Sequence, residues 1–191
     1  MANTFTQIHI HTVFAVQNRI SLINKDWQER LYKYIIAIIQ KHEHKVLAIG
    51  GMSDHVHILF GFRPTQSLSS LMQEVKRDSS AWINQNRFVY GKFSWQEGYG
   101  AFSYSKSQIS DVVKYIENQE NHHANRNFTD EYLKILDNFG IEFDERYIFH
   151  EIEMDASLQD ANDDGTNCST ERSIPNGMRV VSPKIMATHR F

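Results

Sequence analysis

The spacing of apolar residues changes along this chain, and each change predicts an element. From Thr4 to Val16, β-branched and aromatic residues dominate, which predicts a first strand. After Gln17-Asn18-Arg19, Asn24 is placed to cap a helix whose single apolar face carries Trp27, Leu31, Tyr34, Ile35 and Ile38, widened by Ile36 and Ile39. Lys45 to Ile49 reads as a short strand, and Gly50-Gly51 is expected to turn the chain into a third strand, Ser53 to Phe60. In that strand period two sends Val56, Ile58 and Phe60 to one face and His55 and His57 to the other. Pro64-Thr65 is expected to open a second long helix with Leu68, Leu71, Met72, Val75, Trp82 and Ile83 on one side. Residues 84–98 lack periodicity and read as an aromatic-rich connection, before a strand from Tyr99 to Tyr104. An amphipathic helix follows over 105–120, with Ser105 or Ser107 at its start and Ile109, Val112, Val113 and Ile116 as its stripe.

The order strand, helix, strand, strand, helix, strand predicts an α+β fold of the split βαβ (ferredoxin-like, RRM-like) kind. Its antiparallel sheet would have helices packed on it, with the Tyr115 helix near the His-x-His strand. A short helical stretch at 129–136 and an extended piece around 141–149 would wrap the body. From Met154 onward Asp, Asn, Ser, Gly and Thr replace the apolar pattern, so the expected division is a folded domain at 1–153 and a disordered or loosely attached tail at 154–191.

Composition narrows the function classes. With 41% hydrophobic and 12% aromatic residues in 191, the chain can bury a core of ordinary size. The sequence has no apolar run long enough to span a bilayer and no charged-then-apolar leader, so no membrane role and a cytoplasmic location are expected. Cys168 is the single cysteine, which excludes an internal disulfide and a Cys-rich zinc site. No Gly-rich phosphate loop is present, and no nucleotide cofactor is expected. The net charge of −3 rules out a bulk polycation. Basic residues outnumber acidic ones only before residue 88, so a DNA-binding face would be local and built from the first half.

The chemistry concentrates in two places. Neutral imidazole is the commonest side-chain metal ligand, and a strand holds His55 and His57 pre-aimed on one face. On the 105–120 helix, Tyr115 sits off the apolar stripe, on the same side as Asp111, Gln119 and His122. A carbonyl oxygen from Gln119 could complete a two-His site for Mg²⁺ or Mn²⁺ and hold a phosphate beside the phenol. The plain alternatives are two satisfied histidines, a boundary tyrosine and a solvated glutamine. A second His-x-His, His9-Ile10-His11, has the same spacing and could lie beside the first in the sheet.

Taken together, Ser53-Asp54-His55-Val56-His57-Ile58-Leu59-Phe60 and Tyr115-Ile116-Glu117-Asn118-Gln119 resemble the one-tyrosine HUH transposases, the IS200-like family of small insertion sequences that move as single-stranded DNA. His11-Thr12-Val13-Phe14-Ala15-Val16, Trp95 to Phe102 and Gln119-Glu120-Asn121-His122-His123 support the match over roughly the first 150 residues. The resemblance implies that Tyr115 is the nucleophile, attacking a backbone phosphate to leave a 5′-phosphotyrosine and a free 3′-hydroxyl. It implies that His55, His57 and Gln119 bind the divalent metal, that His9 and His11 are structural or DNA-proximal, that the substrate is single-stranded DNA with hairpin ends, and that the protein is a homodimer. No general base is identified by the sequence. Arg19, Lys76 and Arg77 are candidate DNA contacts. The family often has Lys-Tyr-Arg where this chain has Gln17-Asn18-Arg19.

Two other readings stay open. The same sheet supports nucleic-acid-binding modules, so a non-catalytic hairpin or single-strand binder is one alternative. A two-His zinc hydrolase is another, and it lacks a visible carboxylate or third histidine at suitable spacing.

Overall fold

The computed structural model describes residues 5–123 and 127–144. Its elements are β1 (Ile8–Ala15), a 3₁₀ turn at Gln17–Arg19, α1 (Lys25–Lys41), β2 (Lys45–Gly51), β3 (His55–Phe62) and α2 (Leu68–Gln85). They continue with β4 (Gly100–Tyr104), a 3₁₀ turn at Lys106–Gln108, α3 (Ile109–Glu117), α4 (Gln119–His123) and α5 (Phe128–Asn138). The four strands form one antiparallel sheet in the order β2-β3-β1-β4. This is the split βαβ arrangement that the element order predicts, with two central strands carrying the alternating pattern and two shorter ones at the edges.

Alternation gives the sheet two unlike faces. Ile10, Phe14 and Val16 from the β1 segment and Val56, Ile58 and Phe60 from β3 point toward α1 and α2. There they join Leu31, Ile35 and Ile39 of α1 and Leu71, Met72, Val75 and Ile83 of α2 in the main core. Full burial of each large aliphatic side chain contributes roughly 1.5–3 kcal/mol, so this layer carries most of the fold's stability. Local chemistry sets its boundaries. Asn24 accepts a hydrogen bond from the Asp26 amide at 3.1 Å at the start of α1, and Ser67 accepts one from the Ser70 amide at 3.1 Å at the start of α2. The aromatic connection is part of this core: Phe93 is fully buried, Trp95 packs edge-on against Phe14, and Phe88 stacks on Trp27. Burial, rather than base stacking, explains those rings. Tyr90 alone among them is fully exposed.

Several boundaries differ from the sequence expectation, four of them with a bearing on the site or its framework. The first strand begins at Ile8, not Thr4. Gly50 and Gly51 belong to β2, and the reversal is made by Met52-Ser53-Asp54, where the Met52 amide donates to the His55 carbonyl at 3.1 Å. Pro64 and Thr65 lie in the turn before α2, which Ser67 opens because its side chain, unlike proline's ring, can accept an orphan amide. The tyrosine helix is broken at Asn118 into α3 and α4. The expected extended piece at 141–149 is irregular as far as residue 144. Its remainder, and the expected tail at 154–191, lie outside the described residues.

The opposite face of the sheet is covered by α3 and α5. Ala48 and Leu59 meet Val112 and Ile116 of α3, while Val13, Ala15 and Phe102 meet Phe128, Ile135 and Leu136 of α5. The approach of α3 depends on Gly50: a Cβ there would lie 2.3 Å from the Ile116 carbonyl oxygen, in backbone that has no room to yield. Gly50 is also the register partner of His57, so the close contact sets α3 directly over the histidine pair.

Candidate metal and nucleophile site

His55 and His57 are completely buried on the face that α3 and α5 cover. Alternation alone would aim both rings the same way; the neighbours decide which nitrogen is free. The Asp54 carboxylate lies 2.7 Å from Nδ1 of His55, which places the proton on Nδ1 and leaves the Nε2 lone pair facing inward. For His57, Nδ1 lies 3.0 Å from Nε2 of His11, and the two rings stack with centroids 5.2 Å apart. His11 is the diagonal neighbour of His57 across the β1–β3 ladder, since Val13 is its direct partner. The Nε2 of His57 is buried without a hydrogen-bond partner and faces inward, and in the tautomer whose Nδ1–H donates to His11 it presents a second lone pair there.

Two further acceptors converge there. The side-chain oxygen of Gln119, which is buried at the start of α4, lies 3.3 Å from Nε2 of His55. The carboxylate of Glu131, on α5, has one oxygen 3.7 Å from Nε2 of His57 and the other 3.7 Å from Nε2 of His55. The ligand atoms of His55, His57 and Glu131 all lie within 4.8 Å of one another. Lone pairs facing lone pairs in a dry site repel unless a cation lies among them. This donor set, two imidazoles and a carboxylate with an amide oxygen beside them, fits a divalent metal.

Tyr115 stands against the same group. Its hydroxyl donates to the Glu131 carboxylate oxygen that also accepts the Gln119 amide at 2.9 Å. Its ring meets the His57 ring edge-on with centroids 5.7 Å apart. His123 contacts the other Glu131 oxygen at 2.7 Å. Burial, then the Glu131 charge, pushes the Tyr115 phenol well above its usual range. Burial alone would raise the Glu131 carboxyl, but the close approach of His57, with hydrogen bonds from Tyr115 and Gln119, holds it far below the usual carboxylate range. Burial lowers His57 to about 4, and His11 also falls well below 6.5 for the same reason. Without a cation, then, burial keeps His57 and His11 neutral beside an ionised Glu131 and a protonated Tyr115 phenol.

The structure thus brings Tyr115, His55, His57 and Gln119 together within one chain. Of the three candidate DNA-contacting cations it brings only Arg19 close to them. Arg19 hydrogen-bonds Thr129 at the start of α5, next to the site. Lys76 is half-buried and donates to the Gln96 and Gly98 carbonyls at 2.5 Å each, clamping the loop before β4. Burial lowers its pKa. Arg77 is exposed and paired with its neighbour Asp78 at 2.7 Å, on the helix layer behind the sheet. The side chain of His122 lies outside the described residues.

Glu131 and His123 are the members that sequence reasoning missed. Glu131 comes from the stretch expected only to wrap the body, and it supplies a carboxylate of the kind whose absence counted against a two-His zinc hydrolase. A signal existed: Phe128, Glu131 and Ile135 share the buried stripe of α5, and a carboxylate in an apolar stripe needs partners. Asn127 fixes its position by accepting the Asp130 amide at 2.8 Å, and Phe128 stacks on the His55 ring with centroids 4.2 Å apart.

The family model for IS200-like transposases matches residues 4–119, and so includes both β3 histidines, Tyr115 and Gln119 but stops short of Glu131. Among solved structures, a putative transposase from Deinococcus radiodurans R1 is similar at 19% identity, over 62% of this chain and 95% of that one, with a TM-score of 0.51. A REP-associated tyrosine transposase bound to a REP hairpin is similar at 15% identity, over 64% of this chain and 73% of that one, with a TM-score of 0.50. At these identities the two structures establish the shared fold. A comparison with curated proteins gives no match. Among the described residues, no helix is long and apolar enough to cross a membrane.

Proposed function

The chain belongs to the IS200-like transposase family, and from that premise we propose that it cuts and rejoins single-stranded DNA through a 5′-phosphotyrosine on Tyr115. The observation that carries this reading is one shared carboxylate: Glu131 accepts the Tyr115 hydroxyl while its two oxygens lie 3.7 Å from the two free imidazole nitrogens. A phosphate held by the histidine pair would therefore lie within reach of the phenol of the same chain.

In the cleavage step the Tyr115 oxygen bonds to phosphorus as the bond from phosphorus to the 3′ oxygen breaks. The phenol loses its proton to solvent water while Glu131 orients it as hydrogen-bond acceptor, and the departing oxygen takes up a proton from water to end as a 3′-hydroxyl. Energy of the phosphodiester is kept in the tyrosyl ester, so rejoining is the same step reversed and requires no ATP. His55, His57 and Glu131, with Gln119, would hold a divalent cation. Bound there, it offsets charge on the phosphate and on the leaving oxygen. Two nitrogen donors favour Mn²⁺ over Mg²⁺, which prefers an all-oxygen shell. His11 and Asp54 keep the imidazole lone pairs inward, and Phe128 shields the His55 ring from water.

Because nucleophile and donors come from one chain, a second copy is not needed to complete the site, whatever the protein's oligomeric state. Hairpin ends as the recognised feature rest on family membership and on the REP hairpin bound by the structurally similar transposase. A second reading gains from Glu131: the His-His-Glu set would also suit a metal-dependent phosphodiester hydrolase. A labelled hairpin oligonucleotide with Mn²⁺ separates the readings. A protein–DNA adduct stable to denaturation, absent in Tyr115→Phe, is expected. Cleaved product without adduct, persisting in Tyr115→Phe, would establish the hydrolase. Retention of DNA without product would leave only a binder.

A further inference from the structure

Beside the site, α3 and α5 leave a cleft of about 420 Å³ between them, within the range of roughly 300–1,000 Å³ for small-molecule sites. Tyr115 and Glu131 form its inner end, so it opens directly from the reacting groups. Its floor is apolar and aromatic, made by Tyr104, Val112 and Ile135. Its outer walls carry Asp111 from α3 and, from α5, Lys134 and Asn138. Among the described residues none of these three side chains has a hydrogen bond or ion-pair partner. Asp111 thus offers acceptors and Lys134 donors at the exposed rim, both unengaged, around an apolar interior.

That combination suits a nucleobase: faces against aromatic and aliphatic side chains, edge groups toward polar partners at the rim. In-line displacement puts the departing 3′ oxygen across phosphorus from the Tyr115 oxygen, while the 5′ oxygen of the retained nucleotide stays beside it. A cavity with Tyr115 in its wall therefore adjoins the retained nucleotide. We propose that the α3–α5 cleft is the subsite for the base of the nucleotide whose 5′ phosphate Tyr115 takes, with Asp111 and Lys134 reading its edge. This rests on the transposase reading for the identity of the phosphate. Guanine fits best, since its Watson–Crick edge offers two N–H donors to a carboxylate and its O6 and N7 accept from an ammonium. The cleft would thus give the protein a sequence preference at the cut, separate from any hairpin recognition.

The test uses the isotope-labelled full chain without metal, titrated with dGMP or with 2-deoxyribose 5-phosphate and followed by amide chemical shifts. Expected are shifts at Val112, Lys134 and Asn138 with dGMP, and binding weaker by about tenfold for the sugar phosphate and for dGMP on Asp111→Ala/Lys134→Ala. No shifts at these positions, equal binding of the sugar phosphate, or an unchanged affinity in the exposed-residue variant would overturn the subsite. This titration needs no cleavage, so it stands apart from adduct formation: wild-type protein that binds dGMP in the cleft yet forms no adduct with any oligonucleotide would sink the transposase reading alone. Where adducts form, sequencing the strands captured from a randomised oligonucleotide pool should show a bias at the first retained nucleotide that flattens in the double variant. An even distribution in wild type would overturn the subsite.

Discussion

The two faces of this sheet are built from the same two central strands and do opposite work. On the face under α1 and α2, every second residue of β3 is apolar, from Val56 through Ile58 to Phe60, and joins a continuous dry core. On the face under α3 and α5, the intervening positions are His55, His57 and Leu59, and β1 adds His11. Both faces are buried; only one is satisfied by apolar contact. The other holds several titratable groups in a volume where each depends on its neighbours, and where acceptors outnumber donors. Stability is concentrated on one side of a β-strand and a readiness to bind a cation on the other, because period two lets one segment serve both without compromise.

Substitutions can test that division. The largest effect expected is on the polar side: His57→Ala should remove Mn²⁺ binding measured by calorimetry and abolish the DNA adduct, since it deletes a donor no neighbour can replace. Next, Ile58→Ala one residue away should cost about 2–5 kcal/mol in denaturant unfolding. It should leave Mn²⁺ affinity close to wild type; a large loss of affinity would show that the faces are coupled.

Acid should act on the polar side first. The folded-state pKa of His57, about 4, lies below its ordinary 6.5, so the unfolded chain binds the proton more readily. Its contribution is fully present above pH ~6.5 and is lost as pH falls toward 4, worth about 3 kcal/mol as an order of magnitude for the metal-free protein. His11, lowered in the same direction, adds to the loss. Chemical unfolding across that window should show it, and His57→Phe should flatten the slope.

His11→Ala removes an orienting partner, not a donor, and should weaken Mn²⁺ by about 10–100-fold. The smallest expected effect has the opposite sign. Thr12, pointing by alternation into the apolar face between Ile10 and Phe14, is fully buried with an unpartnered hydroxyl. Thr12→Val should therefore raise stability by about 1 kcal/mol without altering metal binding.

Much of this was legible in residue order. Alternation in β3, the stripes of α1 and α2, the Asn24 cap and the split βαβ order depend on neighbours two to four residues apart, a range over which backbone geometry alone dictates direction. The pairing of His55 and His57 on one face belongs to the same class, whereas Tyr115 and Gln119 meet across the break at Asn118 that helical spacing did not foretell. Turn positions were harder, because Gly50 signals a turn equally well as it signals close approach. Its real role shows only when the Ile116 carbonyl is seen against it.

What only the tertiary structure decided is convergence. Glu131 follows Gln119 by a connection whose path is not written in local periodicity, yet it ends on both imidazoles and the phenol at once. That the Tyr115 phenol and the two imidazoles meet within one chain was likewise undecidable from spacing. Side-chain direction is a local property of strand and helix; which distant groups meet depends on how whole layers pack, and here a missing Cβ and a stacked Phe128 set that packing.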